Sequence, residues 1–288
     1  MKIGITINNL SYTPEAYAYA NYLEKFGAQI QLAEYLDPFN DVNIFFLGLK
    51  KNRSHTKYKE IHEYQSLSTP PFAKIKNFIK KEINCLPDAR IFLNEIVKED
   101  LNFNDQKPYV LRDMGVDEIF FQKPLQNHHY DIVYCGSFNG RIGLIEEIIR
   151  LAKIGFKICL IGSIDKDKEA KLKIHKNIDF IGKLKREEIP EYYKNSYAGL
   201  NYTPDIYPFN IQTSTKTIEY LASGLKCISN KYEWAENFSR SRNIYFLWTN
   251  NIRCYEDLYK DERISIDLSD LEWNNILNNI DFYNFLRS

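Results

Sequence analysis

Short apolar runs alternate with stretches of helical spacing along nearly the whole chain, and no other feature restricts the fold as much. The first run, Lys2 to Ile7, is followed by a polar loop through Pro14. Apolar positions at Ala16, Tyr19, Ala20, Leu23 and Phe26 then recur at helical spacing and end at Gly27, which reads as strand, loop and helix in that order. Runs at Gln29 to Ala33, Val42 to Leu49, Arg90 to Leu93 and Tyr109 to Leu111 alternate with helical stretches at Phe72 to Asn84 and Ile96 to Leu101. Such alternation predicts an α/β fold with a parallel sheet covered by helices.

The second half repeats the pattern. Asp131 to Cys135 leads into the turn GSFNG, after which Leu144, Ile145, Ile148, Ile149 and Ala152 share one helical face. Strands are expected at Lys157 to Ile161, Ile178 to Ile181, Ala198 to Tyr202, Lys226 to Ser229 and Ile244 to Leu247. A chain of 288 residues suits two cores of about 100 to 150 residues each. QKPLQNHHY reads as the linker between them, with the boundary near residue 125: an N-terminal domain over 1–125 and a C-terminal one over 126–288. The segment Leu268 to Leu286 is expected to be helical, with packing back across the first domain as one option.

Composition excludes several classes. Lys plus Arg equals Asp plus Glu at 38 each, so no global field favours nucleic acid and any anion site must be local. The five cysteines are odd in number and lack metal-ligand spacing, and Cys135, Cys159 and Cys227 fall inside strand-like runs. There they read as small core residues of a reducing compartment. With neither a signal-like N-terminus nor an apolar window long enough to span a bilayer, the expected location is cytoplasmic.

In open α/β sheets ligands bind beyond the carboxyl ends of the strands. GSFNGR supplies Gly136 and Ser137, whose backbone can approach a phosphate, and Arg141, which can bind one through two hydrogen bonds. The turn equally suits tight packing alone. In TSTKTIEYLASGLKCIS, Ser214, Thr215 and Lys216 open a helix, where hydroxyls, free amides and an ammonium form an anion site. Glu219, three residues on, shares a face with Lys216 and would meet the ribose of a nucleotide whose diphosphate rests there. The plainer reading is an N-capped helix with a solvated Lys/Glu pair.

Several motifs resemble, in order, those of glycosyltransferase family four in the GT-B superfamily (glycosyl transferases group 1). RIFLNEIVKEDL and YVLRDMGVDEIFF match the end of the first domain. YCGSFNGR, LIGS, NIDFIGKLKREEIPEYYKNSYAGLNYTP and above all STKTIEYLASGLKCIS match the donor domain, so the resemblance spans roughly residues 90 to 230. It implies two Rossmann-like domains facing each other across a cleft. It further implies Lys216 and Arg141 on the donor diphosphate, Glu219 on the ribose, and Gly182, Lys183 and Leu184 at the nucleobase edge. KYKEIHEYQSLST lies where the family carries a strand-end histidine facing the donor sugar, which makes His62 a catalytic candidate. The chain departs from the pattern in three places: Ile211 stands eight positions before Glu219 where many members have a second glutamate, Ser137 replaces a frequent arginine, and INNLSYTP replaces a glycine-rich loop.

The expected activity is hexosyl transfer from a UDP or GDP sugar to a saccharide or lipid-linked acceptor in bacterial-type surface polysaccharide or glycan synthesis. With no DxD-like motif at a strand end, neither a metal nor another cofactor is expected. A nucleotide-sugar epimerase and a non-catalytic partner subunit are the alternatives; a nicotinamide enzyme is disfavoured because no GxGxxG follows the first strand. FAKIKNFIKKEIN forms a basic amphipathic helix, either packed on its own sheet with its lysines in water or resting on the inner face of an anionic membrane.

Overall fold

Each half of the chain builds its own parallel sheet. The computed structural model describes residues 1–7, 13–53, 57–263 and 266–288, so most of the INNLSYTP loop, residues 8–12, lies outside the described residues. Two compact units result, one of 1–115 with 269–288 and one of 116–268. The division falls ahead of the stretch read as a linker because residues 116–120 already belong to the second unit. Phe120 packs on Tyr193 at 5.6 Å between ring centroids, and its carbonyl accepts the Ser223 hydroxyl at 2.8 Å.

The first unit runs β1 (Lys2–Thr6), α1 (Pro14–Glu24), β2 (Gln29–Ala33), β3 (Val42–Phe46), β4 (Lys59–Tyr64), α2 (Ala73–Ile83), β5 (Ala89–Phe92), α3 (Glu95–Leu101) and β6 (Tyr109–Leu111). Its strands pair in the order β2-β1-β3-β4-β5-β6, all parallel. Ile3, Ile5, Ile44, Ile61 and Ile91 are wholly buried along its centre, as strands covered on both faces require. The pattern of apolar runs missed β4, whose sequence KEIHEY is mostly polar yet buried along nearly its whole length. The unit is completed by the end of the chain, where α9 and α10 (Trp273–Asn279 and Phe282–Arg287) join α1. Tyr19 meets the Phe282 ring at 4.6 Å between centroids, and the Tyr22 hydroxyl donates to Asn278 at 2.9 Å.

The second unit runs β7 (Tyr130–Cys135), α4 (Leu144–Ile154), β8 (Ile158–Ile161), α5 (Lys166–Leu172), β9 (Ile178–Gly182), α6 (Ile189–Lys194), β10 (Ser196–Asn201), α7 (Thr215–Ala222), β11 (Lys226–Ser229), α8 (Glu233–Ser241) and β12 (Leu247–Trp248). The sheet order is β12-β11-β10-β7-β8-β9. Strand order therefore reverses between β7 and β10, and such a switch point opens a crevice beyond the strand ends. The helical face read on α4 is buried at Leu144, Ile145, Ile148 and Ala152, against Ile132, Leu160 and Leu200. The last strand is shorter and later than its apolar run, Leu247–Trp248 against the expected Ile244 to Leu247. Among the described residues no helix is long and apolar enough to cross a membrane.

Candidate active site

The crevice at the β7/β10 switch holds a cavity of about 290 Å3, at the lower end of ligand-pocket sizes of about 300–1,000 Å3. Its wall brings together Gly136, Ser137, Arg141, Ser214, Thr215 and Lys216, six of the residues singled out from sequence. They arrive on three elements: the turn after β7, the segment leading into α4, and the N-terminus of α7.

The placement of α7 follows from its packing. Gly199 on β10 lacks a side chain where one is impossible, since a Cβ there would lie 2.2 Å from the Tyr220 ring. Tyr220 can therefore lie flat on the strand, and its hydroxyl accepts the Cys135 amide at 2.9 Å. The start of α7 is capped by Ser214, whose Oγ accepts the Thr217 amide at 3.3 Å and the Thr217 hydroxyl at 3.0 Å while donating to Asn201 Oδ1 at 3.0 Å. The capping hydroxyl is thus committed within the protein. The amides of Thr215 and Lys216 stand ahead of it at the helix start, where orphan donors and the helix dipole favour an anion.

Glu219 is fully buried and engaged at both oxygens. Lys216 Nζ donates to Oε2 at 2.6 Å and the Tyr193 hydroxyl to the same oxygen at 3.3 Å, while Arg186 Nη1 donates to Oε1 at 3.0 Å. Arg186 is held in turn by Asp117 and lies over the Phe120 ring. Burial alone would push the Glu219 carboxyl up, but the charges of Lys216 and Arg186 outweigh it and hold the group below the ordinary glutamate value. Burial likewise disfavours the Lys216 ammonium, yet Glu219 holds it above the ordinary lysine value. Both groups are charged at neutral pH. Lys216 remains 30% exposed, so its ammonium can reach the cavity. Arg141 donates to Thr203 Oγ1 at 3.2 Å and lies 6.0 Å from the Phe209 ring. Three cations, Lys216, Arg186 and Arg141, thus stand against two carboxylates, Glu219 and Asp117, which leaves the region positive by one.

Other expected residues lie elsewhere. Glu219 does not line the cavity, because its carboxylate is turned into the ion-pair network behind Lys216. Gly182, Lys183 and Leu184 follow β9 and are also outside the wall, although the Gly182 carbonyl accepts the Gly162 amide at 2.8 Å. His62 was expected at a strand end; it sits mid-strand in β4, fully buried, with Nε2 2.8 Å from Glu60 Oε1. Burial pushes its imidazole below the usual histidine value, despite the neighbouring carboxylate. Sequence reasoning missed Arg186 and Tyr193, the second and third partners of Glu219. It also missed Asn201, Tyr202 and Thr203, although NYTP covers the end of β10 and the loop after it, where the search for ligand residues belongs.

No family model matches the chain, and no curated protein matches its sequence. Solved structures do resemble it. Anabaena HepE in complex with UDP-glucose superposes with a TM-score of 0.68 at 11% identity, over 98% of this chain and 98% of that one. Sucrose-phosphate synthase from Thermosynechococcus elongatus gives 0.64 at 13% identity over 99% and 94%. UDP-GlcNAc 2-epimerase from Methanocaldococcus jannaschii gives 0.54 at 12% identity over 98% and 100%. At such identities the likeness speaks to the fold: the chain has two Rossmann-like domains of the GT-B type.

Proposed function

We propose that this protein is a glycosyltransferase that moves a hexose from a UDP or GDP sugar to a saccharide or lipid-linked acceptor. We place it in surface polysaccharide or glycan synthesis, with no metal ion or other cofactor in the transfer step. The observation that carries the reading is the Lys216 ammonium at the start of α7, on the wall of a switch-point cavity that Arg141 also lines. Support comes also from the fold, since HepE has been crystallised with UDP-glucose.

In glycosyl transfer the sugar C1 gains oxocarbenium character while the departing nucleoside diphosphate gains negative charge. Lys216, Arg141 and the amides at Ser137, Thr215 and Lys216 would hold that charge from fixed positions beside the Gly136 turn, so little reorganisation accompanies the reaction. Turning Lys216 toward the diphosphate would release Oε2 of Glu219, and that oxygen would then accept a ribose hydroxyl. The backbone of Gly182, Lys183 and Leu184 would meet the nucleobase edge. In this scheme Glu219 is first a positioning residue for Lys216 and only then a ligand.

The deciding experiment is a thermal-stabilisation screen against UDP, GDP, CMP and their sugars, on the native chain and on Lys216→Ala. A ligand at a hundred times its dissociation constant adds about 2.7 kcal/mol. Stabilisation by a nucleoside diphosphate that Lys216→Ala largely loses is expected; equal stabilisation of both would defeat the proposal. Because an epimerase shares the fold, nucleotide release is followed with and without acceptors, and release only with acceptor marks transfer. Donor binding without turnover, rescued by a companion enzyme, would instead mark a non-catalytic subunit.

We also infer peripheral contact of α2 with the cytoplasmic face of an anionic membrane. The helix buries only Ala73 and Asn77, while Phe72, Ile75, Phe78 and Ile79 stand exposed among Lys74, Lys76, Lys80 and Lys81. That is the reverse of a helix packed on its sheet by its apolar face.

A further inference from the structure

The face of the first sheet that carries Glu60 and His62 holds a cluster that the proposed transfer does not use. These residues are two apart on β4 and so project to the same side, and both are fully buried. Cys85, just beyond the end of α2, completes the group. Its Sγ lies 3.2 Å from Glu60 Oε1 and 4.0 Å from His62 Nε2, and that nitrogen is 2.8 Å from Oε1. A carboxylate oxygen, an imidazole nitrogen and a thiol sulfur therefore sit within 4.8 Å of one another.

The hydrogen bonding of the cluster is lopsided. Oε1 of Glu60 receives His62, Cys85 and, at 2.9 Å, the Lys50 ammonium, whereas Glu60 Oε2 and His62 Nδ1 are buried with no hydrogen-bond partner among the described residues. A buried carboxylate oxygen left without a partner is costly. Three donors crowded on its neighbour do not offset that cost, whereas a divalent cation held by the carboxylate would stabilise its charge.

We propose that Glu60, His62 and Cys85 form a structural site for a divalent ion of the zinc type, with the Lys50 ammonium as the ion's competitor for Glu60. The donor set selects the ion: thiolate and imidazole favour zinc over magnesium or calcium. Ligand atoms about a tetrahedral zinc, at roughly 2.0 to 2.3 Å from it, lie about 3.3 to 3.6 Å from each other, and the observed separations of 2.8, 3.2 and 4.0 Å straddle that range. Binding forms a zinc–sulfur bond, releases the Cys85 thiol proton to water and turns Lys50, whose side chain is already 17% exposed, out to solvent; a water takes the fourth position. The Cys85 amide donates to the Lys50 carbonyl at 2.8 Å, and the Lys50 amide to Asn84 Oδ1 at 2.8 Å. An ion at this point would therefore fasten both the segment after β3 and the segment after α2 to β4.

The test is a cobalt(II) titration of the full chain carrying Cys254→Ala, which removes the exposed thiol, followed by zinc displacement. Expected are a thiolate-to-cobalt charge-transfer band saturating at one equivalent and a zinc-induced rise in Tm of about 5 °C. Both should be lost in Cys85→Ser and in His62→Gln, while Lys50→Met should keep the band and bind more tightly. Should either ligand variant fold poorly, alkylation of Cys85 in the unsubstituted chain gives the same answer, because bound zinc must protect the thiol. No band above that of Cys85→Ser, or alkylation unaffected by zinc, would overturn the proposal.

Discussion

The Tyr220 hydroxyl accepts the backbone amide of Cys135 at 2.9 Å, and so joins the helix that carries Lys216 to the strand that ends in the Gly136 turn. Two walls of the cavity are therefore set by one ring, which lies on the bare backbone of Gly199. Their spacing is a property of the packing, and it persists whatever the exposed side chains do.

Disturbing that ring should be felt at the cavity. Tyr220→Phe removes the hydroxyl and leaves a buried amide unsatisfied, at a cost of about 1–3 kcal/mol. Gly199→Ala drives a methyl to 2.2 Å from the ring, an overpacking worth about 1–3 kcal/mol. Both variants should show a lower denaturation midpoint and weaker nucleoside-diphosphate binding, whereas unchanged affinity in a destabilised Gly199→Ala would show that α7 does not set the site.

Lys216→Ala leaves the ring and the cap in place and removes the ammonium, while Arg186 and Tyr193 remain on Glu219. Deleting one preorganised donor to a developing anion costs roughly a hundredfold to a thousandfold in rate, and steady-state transfer should fall by that much. Lys216→Arg should recover only part, since a forked guanidinium does not reproduce a compact ammonium beside Glu219. Near-normal turnover in Lys216→Ala, with donor affinity intact, would remove this residue from the diphosphate.

Glu219 carries the pH dependence. Its folded carboxyl lies below the ordinary 4.5 because Lys216 and Arg186 outweigh its burial. A carboxyl depressed on folding contributes stability that is complete above its unfolded value and is lost as pH falls through its folded one. Stability should accordingly decline below about pH 4.5, and Glu219→Gln should flatten that decline. At neutral pH the same substitution leaves Lys216 and Arg186 facing a neutral amide, and breaking such a buried network costs about 3–5 kcal/mol. Denaturation midpoints of both proteins across acid pH check the two statements together.

Much of this was legible in the sequence, and the gaps have physical causes. The two β/α series and the α4 face follow from apolar periodicity, and Ser214, Thr215 and Lys216 from residue types at a helix start. Strand β4 was hidden because its polar residues are buried against partners, Glu60 with Lys50 and His62, and Glu63 with Arg112. Periodicity registers apolar burial and is blind to polar groups buried against one another. Arg186 was hidden because its contact with Glu219 spans 33 residues, and no local pattern encodes a partner that distant. His62 was misplaced because a resemblance carries a residue type to a strand without carrying its depth along that strand.

The exposed face of α2 makes the last prediction. Phe72 and Phe78 are 72% and 63% exposed, and lysines flank these rings on both sides of the helix. Apolar groups in water gain about 25 cal/mol for each Å2 they bury, and each lysine near an anionic surface adds about 1 kcal/mol. The protein should therefore sediment with vesicles that contain anionic lipid, less so as salt rises, and hardly at all with neutral vesicles. Phe78→Ser combined with Lys80→Glu and Lys81→Glu should abolish binding while leaving the denaturation midpoint nearly unchanged, because these side chains contribute little to the core. Sedimentation that ignores lipid charge, or a large loss of stability in the triple variant, would mean that the face belongs to a protein partner or to the fold itself.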